Sequence, residues 1–417
     1  MKELTITELG KRAAEVKGEV AALSGEKKRV GLIAVAEHLV ESTDRILEAN
    51  ALDMERAKSA GMPGSLQDRL ALDAQRIEAM AEGVRQVADL DDPIGSMDEV
   101  KRRPNGLMIG TCRVPIGVIG IIYESRPNVT ADAFALTFKT GNVVILKGGS
   151  DAIDSNKAIV ECIRESLKTS GLPEDAIQLI MQTDRETTRE FMRMNDCVDL
   201  LIPRGGAGLI NSVKENSTIP VIETGVGNCH IYVDEAADIS MAVPIIVNAK
   251  TQRLGVCNAC ESLVVHSSVA ERLLGELAPA LAERNVEMRC DERALPLTDG
   301  GVPATEEDWG TEYLDSIISI KTVDSVEEAI AHINRYSTGH SEAIITDSLE
   351  NSARFTEAVD SACVYVNAST RFTDGFEFGF GAEIGISTQK LHARGPMGLK
   401  ALTTVKYIIT GSGQIRG

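Results

Sequence analysis

The chain has 417 residues, of which 43% are hydrophobic, so it is long enough to bury a large core in two or three domains. Its formal net charge of −19 argues against nucleic acid or an anionic membrane as the main partner, and otherwise indicates only a well-solvated surface. The sequence has no long apolar run, so no membrane span is predicted. Its start, Met1-Lys-Glu-Leu-Thr5, is too charged for a secretory signal, which predicts a cytoplasmic protein. The eight scattered cysteines fit reduced thiols in that compartment.

The first half of the chain predicts a helical layer followed by an α/β domain. Residues 4–90 carry apolar positions at helical spacing among many charges. The predicted strands that follow are 117–122, 142–146, 177–181, 198–202 and 221–223. The predicted helices between them are 130–140, 151–170, 185–194 and 208–216. Strands and helices alternating at this spacing predict a parallel sheet with helices on its faces.

The second half predicts another α/β unit. A helix is expected at 239–251, and further helices at 269–284, 326–336 and 349–359. The predicted strands are 263–265, 317–320, 343–346 and 364–367. Residues 296–303, rich in glycine and proline, predict an exposed excursion, and 403–410 predict a β-like tail.

A cysteine and a glutamate at two glycine-containing turns suggest covalent acyl-transfer chemistry. Cys257 lies in Arg253-Leu-Gly-Val-Cys-Asn-Ala-Cys-Glu261, and Glu223 lies in Val221-Ile-Glu-Thr-Gly-Val-Gly-Asn228. A thiolate attacks carbonyl carbons well and is also a good leaving group. Most cysteines are nevertheless buried structural residues, and that alternative stays open on these residues alone. Cys260 completes a Cys-x-x-Cys motif, but a redox role would need a thioredoxin-like context that is absent.

Metal and standard nucleotide motifs are missing from the sequence. The six histidines have no ligand spacing, so no metal is predicted. No Gly-x-Gly-x-x-Gly and no phosphate loop ending in Gly-Lys-Ser/Thr follows a predicted strand. A standard Rossmann nucleotide site is therefore not expected.

Several long motifs carry a family resemblance. Val221-Ile-Glu-Thr-Gly225 followed by Gly255-Val-Cys-Asn258 resembles the aldehyde dehydrogenase superfamily, whose fold has two parallel-sheet α/β domains and a small β oligomerisation element. Longer runs cover nearly the whole chain and narrow the resemblance to the acyl phosphate reductases of that superfamily. These runs are Tyr123-Glu-Ser-Arg-Pro-Asn128, Ala304-Thr-Glu-Glu-Asp-Trp309, His332-Ile-Asn-Arg-Tyr336, Val364-Tyr-Val-Asn-Ala-Ser-Thr-Arg-Phe-Thr-Asp374 and Gly381-Ala-Glu-Ile-Gly-Ile-Ser-Thr-Gln-Lys-Leu-His-Ala-Arg-Gly-Pro396.

The resemblance implies an activity in proline biosynthesis. The expected reaction is NADPH-dependent reduction of L-glutamyl 5-phosphate to L-glutamate 5-semialdehyde and phosphate through a thioester on Cys257. One alternative is a non-phosphorylating aldehyde dehydrogenase, in which Glu223 activates water. Another is a catalytically silent regulatory partner of glutamate 5-kinase. The same resemblance implies a homodimer or a dimer of dimers, and glutamate 5-kinase as a partner.

The resemblance also assigns residues to the cofactor. Lys147 with Gly148 and Ser150 matches the strand end that meets the adenine ribose, and a lysine there suits a 2′-phosphate. Arg204, Gly205 and Gly206 match the turn that faces the pyrophosphate, where backbone amides and a guanidinium offer donors. The remaining cofactor residues implied by the resemblance are Thr224, Gly225 and Glu312, the last on the nicotinamide ribose. Ordinary turns and a surface glutamate are the alternative interpretations.

Substrate residues are implied less sharply. A guanidinium is a suitable clamp for an anionic substrate, and Arg126, Asn367 and Arg371 are the candidates, with a structural salt bridge nearly as plausible for Arg371. The oxyanion position of the superfamily aligns with Ser125, and Asn128 lies three residues later, so the choice between them stays open. Glu223 is expected to serve site geometry more than proton abstraction.

The expected domain boundaries follow from these assignments. Residues 1–106 and 116–224 would form the cofactor-binding domain with its N-terminal helical layer. Residues 225–395 would form the catalytic domain. Residues 107–115 and 396–417 would form an oligomerisation hairpin and C-terminal strand, the strand pairing with the hairpin of a neighbouring subunit.

Overall fold

The structure, a computed structural model, describes residues 4–416 and divides into two compact units. The first unit comprises residues 4–223, Gly379–Gly385 and 397–416, and the second comprises Thr224–Phe378 and Ile386–Pro396.

The first unit begins with helices. Its helices are α1 (Ile6–Ala21), α2 (Gly25–Glu41), α3 (Thr43–Ser59), α4 (Gly64–Leu70), α5 (Ala74–Asp89), α6 (Asn128–Lys139), α7 (Ile153–Thr169), α8 (Arg185–Phe191) and α9 (Ala207–Asn216). Its strands up to that point are β1 (Met97–Arg102), β2 (Met108–Pro115), β3 (Val118–Tyr123), β4 (Val143–Lys147), β5 (Ile177–Leu179) and β6 (Leu200–Arg204). The expected helical layer over 4–90 is thus α1 to α5.

The second unit alternates strands and helices. Its helices are α10 (Ile239–Thr251), α11 (Ser267–Ala282), α12 (Val326–Tyr336) and α13 (Leu349–Ala358). Its strands are β7 (Cys229–Val233), β8 (Cys260–His266), β9 (Glu287–Cys290), β10 (Val302–Pro303), β11 (Ile317–Val323), β12 (Ser341–Ile345), β13 (Cys363–Val366), β14 (Ile386–Ser387) and β15 (Gly395–Pro396). The last strand of the chain, β16 (Thr403–Thr410), belongs to the first unit.

The parallel sheet of the first unit brings the proposed cofactor residues to one edge. Its strand order is β5-β4-β3-β6, and β3 and β4 are completely buried, as expected for strands covered on both faces. Because carboxyl ends of parallel strands meet at the same edge, the segments after β3, β4 and β6 lie side by side. The predicted strand 221–223 is wrong: Val221 makes only an isolated bridge to Leu201, since the preceding Pro220 has no N–H for a ladder.

The second unit is built on a seven-stranded parallel sheet in the order β10-β9-β11-β8-β7-β12-β13. Three of its strands, β7, β9 and β10, were not expected from the sequence, and β10 lies at the end of the segment predicted as an exposed excursion. β7 is central and wholly buried, between β8 and β12. β9 is short and alternates exposed and buried residues, so its hydrophobic signal is weak. Apolar residues of α10 and α11 cover one face of this sheet.

A third sheet is antiparallel and lies in the first unit. It has the order β1-β2-β16, and Thr403 to Thr410 pair with Pro115 to Met108 along the full strand length. The β-like tail at 403–410 is therefore confirmed, and within the chain it pairs with β2. Pairing of the tail with a neighbouring subunit stays a prediction. Among the described residues, no helix is long and apolar enough to cross a membrane.

Candidate active site

Cys257 lies in a turn that joins α10 to β8. Its side chain is partly exposed, and Ala259 closes the turn by donating its backbone N–H to the Val256 carbonyl at 3.2 Å. The flanking strand β8 is buried throughout. A partly exposed thiol on a short connection between two packed elements has access to a substrate and a defined position.

Most of the other cysteines differ from Cys257 in exposure. Cys197 is also partly exposed, whereas the remaining six cysteines are buried. Burial raises the pKa of the Cys260 thiol to about 12, and the same cause raises the pKa of Cys229 far above its usual value. Both groups therefore stay protonated and poorly nucleophilic at neutral pH.

A glycine is required directly beside Cys257. A Cβ on Gly227 would lie 1.5 Å from the backbone oxygen of Cys257, which no side chain could tolerate. The same carbonyl accepts a bond from the Cys229 thiol at 3.1 Å. The Gly-Val-Gly turn after Glu223 is thus fitted against the Cys257 loop through Gly227.

Arg371 lies against Asn258, the residue that follows Cys257. Its guanidinium donates to the Gln252 side-chain oxygen at 2.9 Å and to the Asn258 side-chain oxygen. Burial and the neighbouring Arg253 both lower the pKa of Arg371, so a bound anion here would relieve charge repulsion. Asn258 is itself anchored, because its amide donates to the Thr373 carbonyl at 2.9 Å.

Asn367 has a different environment. Its side chain accepts from the Thr346 N–H and donates to the Thr346 carbonyl, both at 2.9 Å, and its backbone has a φ of 55°. The amide therefore extends the pairing at the end of β12. Because these bonds engage both ends of the Asn367 amide, they favour a structural role for Asn367 over direct contact with a substrate.

Glu312 is partly buried and points at the same glycine turn. Its carboxylate accepts the Gly227 N–H at 2.7 Å. Two other predicted cofactor residues also lie near this turn. Thr224 is buried, and the Gly225 N–H donates to the Ile386 carbonyl at 2.8 Å. The second unit thus gathers Cys257 and Glu312 around Gly227, although no sequence motif signals their proximity.

Lys147 ends β4 in the first unit with its side chain almost fully buried. Its ammonium donates to the Gly148 carbonyl at 3.3 Å. Burial lowers the pKa of Lys147, while Asp184 opposes the shift. A nearby phosphate would favour the charged form. A Cβ on Gly148 would come within 2.3 Å of the Asn156 amide nitrogen, so the turn keeps its backbone close to α7, and Ser150 follows on the surface.

Arg204, Gly205 and Gly206 form the turn between β6 and α9. Gly206 is the N-cap of α9 and provides no side-chain acceptor. The acceptor comes instead from Glu124, whose carboxylate accepts the Gly206 N–H at 3.0 Å. Exposed amides at a helix start are suited to an anion, and a carboxylate of the chain itself uses one of them here. Sequence reasoning did not single out Glu124.

The two oxyanion candidates both contact carboxylates. Ser125 has a φ of 39° and donates its hydroxyl to Asp151, and Asn128 donates its amide to Asp132 at 3.0 Å. Burial raises the pKa of Asp132 to about 6. Arg126, the third candidate of this segment, is partly exposed between β3 and α6. The choice between Ser125 and Asn128 as oxyanion donor stays a prediction.

Glu223 forms an ion pair at the end of the first unit. Its two carboxylate oxygens lie 3.1 and 3.2 Å from the Lys214 ammonium on α9. One cation thus contacts both oxygens of this carboxylate. This contact agrees with a geometric more than a basic role for Glu223.

Comparison with known proteins places the chain in a family. The aldehyde dehydrogenase family model matches residues 3–299 and 296–408. A gamma-glutamyl phosphate reductase of Lachnospira eligens is 60% identical over 412 residues, with 99% of each chain covered. The gamma-glutamyl phosphate reductase structure from Thermotoga maritima is 51% identical, covers 99% of both chains and has a TM-score of 0.96.

A more distant structure shares the fold alone. An engineered glycolyl-CoA reductase with bound NADP⁺ is 16% identical, with a TM-score of 0.70 and coverage of 97% and 96%. Its sequence identity to the chain is too low for the roles of its residues to be assigned here. The family as a whole uses nicotinamide cofactors. On the full-length matches, the chain belongs to the aldehyde dehydrogenase family and, within it, to the gamma-glutamyl phosphate reductases.

Proposed function

We propose that the chain reduces L-glutamyl 5-phosphate to L-glutamate 5-semialdehyde with NADPH, through a thioester on Cys257. The observation that carries this proposal is the contrast between the partly exposed Cys257 and the buried, protonated Cys260 three residues later. The relatives that match over the full length bear the name of this activity.

The thiol chemistry divides the reaction into two easier steps. The Cys257 thiolate attacks the acyl carbon, a C–S bond forms, the C–O bond to phosphate breaks, and phosphate leaves. When bound, NADPH supplies the hydride that reduces the thioester. The resulting hemithioacetal loses the thiolate and gives the aldehyde. Arg371, beside Asn258, offers a guanidinium to an anionic group of the substrate.

The residues proposed for the cofactor fit a dinucleotide phosphate. Lys147 provides a buried amine at the end of β4, and the amides at the start of α9 provide further donors. Glu312 provides a carboxylate that could accept ribose hydroxyls in addition to the Gly227 N–H. The chain's contribution is to orient these groups and to exclude water from the acyl carbon.

The alternatives make different demands on Glu223. A non-phosphorylating aldehyde dehydrogenase would need it to activate water, whereas it is held by Lys214. A silent partner of glutamate 5-kinase would need no exposed thiol at all. Association with that kinase and with further copies of the chain remains part of the proposal.

The reverse reaction tests the proposal directly. We expect L-glutamate 5-semialdehyde to reduce NADP⁺ only when inorganic phosphate is present, with glutamyl phosphate as product. Rapid phosphate-independent formation of glutamate would indicate the hydrolytic enzyme instead. Absence of turnover in both directions would favour the silent partner.

A further inference from the structure

Two buried charges flank the loop that carries Cys257. Lys250 lies in the last turn of α10, and Glu261 is the second residue of β8. Their side chains are both 0% exposed, and the ammonium lies 2.5 Å from one carboxylate oxygen. Removing two charges from water costs several kcal/mol per ion, and their attraction often does no more than offset that cost. A pair at this position therefore calls for an explanation other than net stability.

The second oxygen of Glu261 reaches another segment. It accepts the Leu314 N–H at 3.1 Å, and Leu314 has a φ of 53°, a left-handed conformation that is unfavourable for leucine. The Lys250 ammonium also lies 6.0 Å from the centre of the Tyr313 ring. Burial raises the pKa of Glu261 to about 7, and the charge of Lys250 opposes that shift. The pair thus stabilises a strained segment as well as the two ends of the Cys257 loop.

That segment leads back to the nucleophile. Glu312, two residues before Leu314, accepts the Gly227 N–H at 2.7 Å. Gly227 in turn packs against the Cys257 carbonyl so closely that a Cβ would overlap it. A continuous series of contacts therefore connects Glu261 with the Cys257 loop. It runs through Leu314, Glu312 and Gly227, and the chain segment from Cys257 to Glu261 completes it.

We propose that Lys250 and Glu261 are positioning residues for the reaction, which hold the Cys257 loop in register with the segment that carries Glu312. The proposal rests on the function proposed above for Cys257 and Glu312. Both oxygens of Glu261 are used, one for the loop and one for the Glu312 segment, so loss of its charge disturbs both. A displacement of about 1 Å at a reacting group lowers rates by about 10²-fold.

The principal variant is Glu261→Gln, which keeps the side-chain shape but places a neutral amide against Lys250. We expect kcat for phosphate-dependent semialdehyde oxidation to fall by about 10- to 100-fold. We also expect the rate of Cys257 alkylation by iodoacetamide, followed by mass spectrometry of its peptide, to change by at least threefold. If Glu261 contributed only to stability, the folded variant would keep both the kcat and the Cys257 alkylation rate of the wild type.

A matched control exists in the first unit. Lys28 and Asp92 also form an ion pair of 2.5 Å, with the Lys28 side chain 1% exposed. Asp92→Asn should lower the melting temperature while leaving kcat and Cys257 alkylation within about twofold of the wild type. If folded Glu261→Gln behaves in the same way as this control, the positioning role is overturned.

A double variant covers the case in which Glu261→Gln does not fold. Replacing both partners by methionine removes both buried charges at similar volume and should restore stability. We expect this folded protein to keep a kcat at least tenfold below the wild type, because Leu314 has lost its acceptor. Recovery of wild-type kcat would overturn the proposal. The Cys257→Ala variant tests the proposed function separately. If that function is wrong, Cys257→Ala retains turnover, whatever the effect of changing Glu261.

Discussion

At the scale of single residues, exposure and protonation separate two cysteines of one motif. Cys257 is partly exposed in its turn, whereas Cys260 starts a buried strand and has a strongly raised pKa. The spacing Cys-x-x-Cys places one thiol outside and one inside because the second already belongs to β8. The motif therefore presents one accessible thiol and one buried, protonated thiol, which does not favour a redox pair.

We expect Cys257→Ala to lower turnover by at least about 10³-fold, because a methyl group cannot form the thioester. Circular dichroism and NADPH binding should be unchanged. Cys197→Ala, which removes the other partly exposed thiol, should retain turnover within about twofold. Turnover of more than a few per cent in Cys257→Ala, or a comparable loss in Cys260→Ala, would remove Cys257 from its proposed role.

Glu223→Gln should have a smaller effect. The change keeps the shape and removes basicity, and we expect phosphate-dependent turnover to fall by less than about 10²-fold. Lys214→Gln removes the ion-pair partner and should give a loss no larger than this. Steady-state kinetics on both variants provide the measurement. A loss in Glu223→Gln near that of Cys257→Ala would show that Glu223 is an essential base.

At the scale of elements, the central strands of the second unit bury titratable groups near the loop that carries Cys257. His340 precedes β12 with no exposed surface, and its Nδ1 lies 2.8 Å from the Ser341 hydroxyl. The Cys229 thiol, which donates to the Cys257 carbonyl, lies 3.7 Å from the same ring nitrogen. Burial lowers the pKa of His340 to about 4. A neutral imidazole therefore lies next to the thiol that contacts the Cys257 carbonyl at physiological pH.

This burial predicts a pH dependence of stability. An unfolded histidine gains a proton below its ordinary pKa of about 6.5, whereas folded His340 stays neutral down to about pH 4. Its stabilising contribution is therefore complete above pH 6.5 and is lost as the pH falls, by about 1.4 kcal/mol per pH unit. Urea unfolding at pH 7, 6 and 5 should show a shallower decrease for His340→Gln than for the wild type. Equal slopes would contradict this account.

At the scale of the whole molecule, an edge strand of the antiparallel sheet exposes apolar side chains. β16 is the edge strand of the antiparallel sheet, and Val405, Tyr407 and Ile409 are 45%, 70% and 58% exposed. Exposed apolar side chains on an unpaired edge strand favour association with another strand. Because β16 already pairs with β2 of its own chain, only its outer edge is left for a second copy.

We expect Tyr407→Lys to weaken self-association, since a charge on an edge strand opposes further pairing. Sedimentation velocity should show a shift toward smaller species at equal protein concentration. Leu349→Lys is the matched control, because Leu349 is 87% exposed on α13 in the second unit. An identical distribution for Tyr407→Lys and the wild type would exclude this edge as a subunit interface.

The sequence by itself determined the class of fold, the family and most elements. Strong periodicity predicted α1 to α5 and the alternation around β3, β4 and β6, because buried strands and amphipathic helices carry local signals. Long motifs around Tyr123, Cys257 and Asn367 carried the family resemblance, since identical runs of that length are specific.

Only the tertiary structure decided how distant residues contact each other within each unit. The approach of Gly227 to the Cys257 carbonyl, the carboxylate of Glu124 at the start of α9, and the pairing of β16 with β2 all join segments far apart in sequence. Such contacts depend on strand order and register, which no local periodicity encodes. The raised pKa values of Cys229 and Cys260 likewise follow from burial, and burial depends on the folded structure.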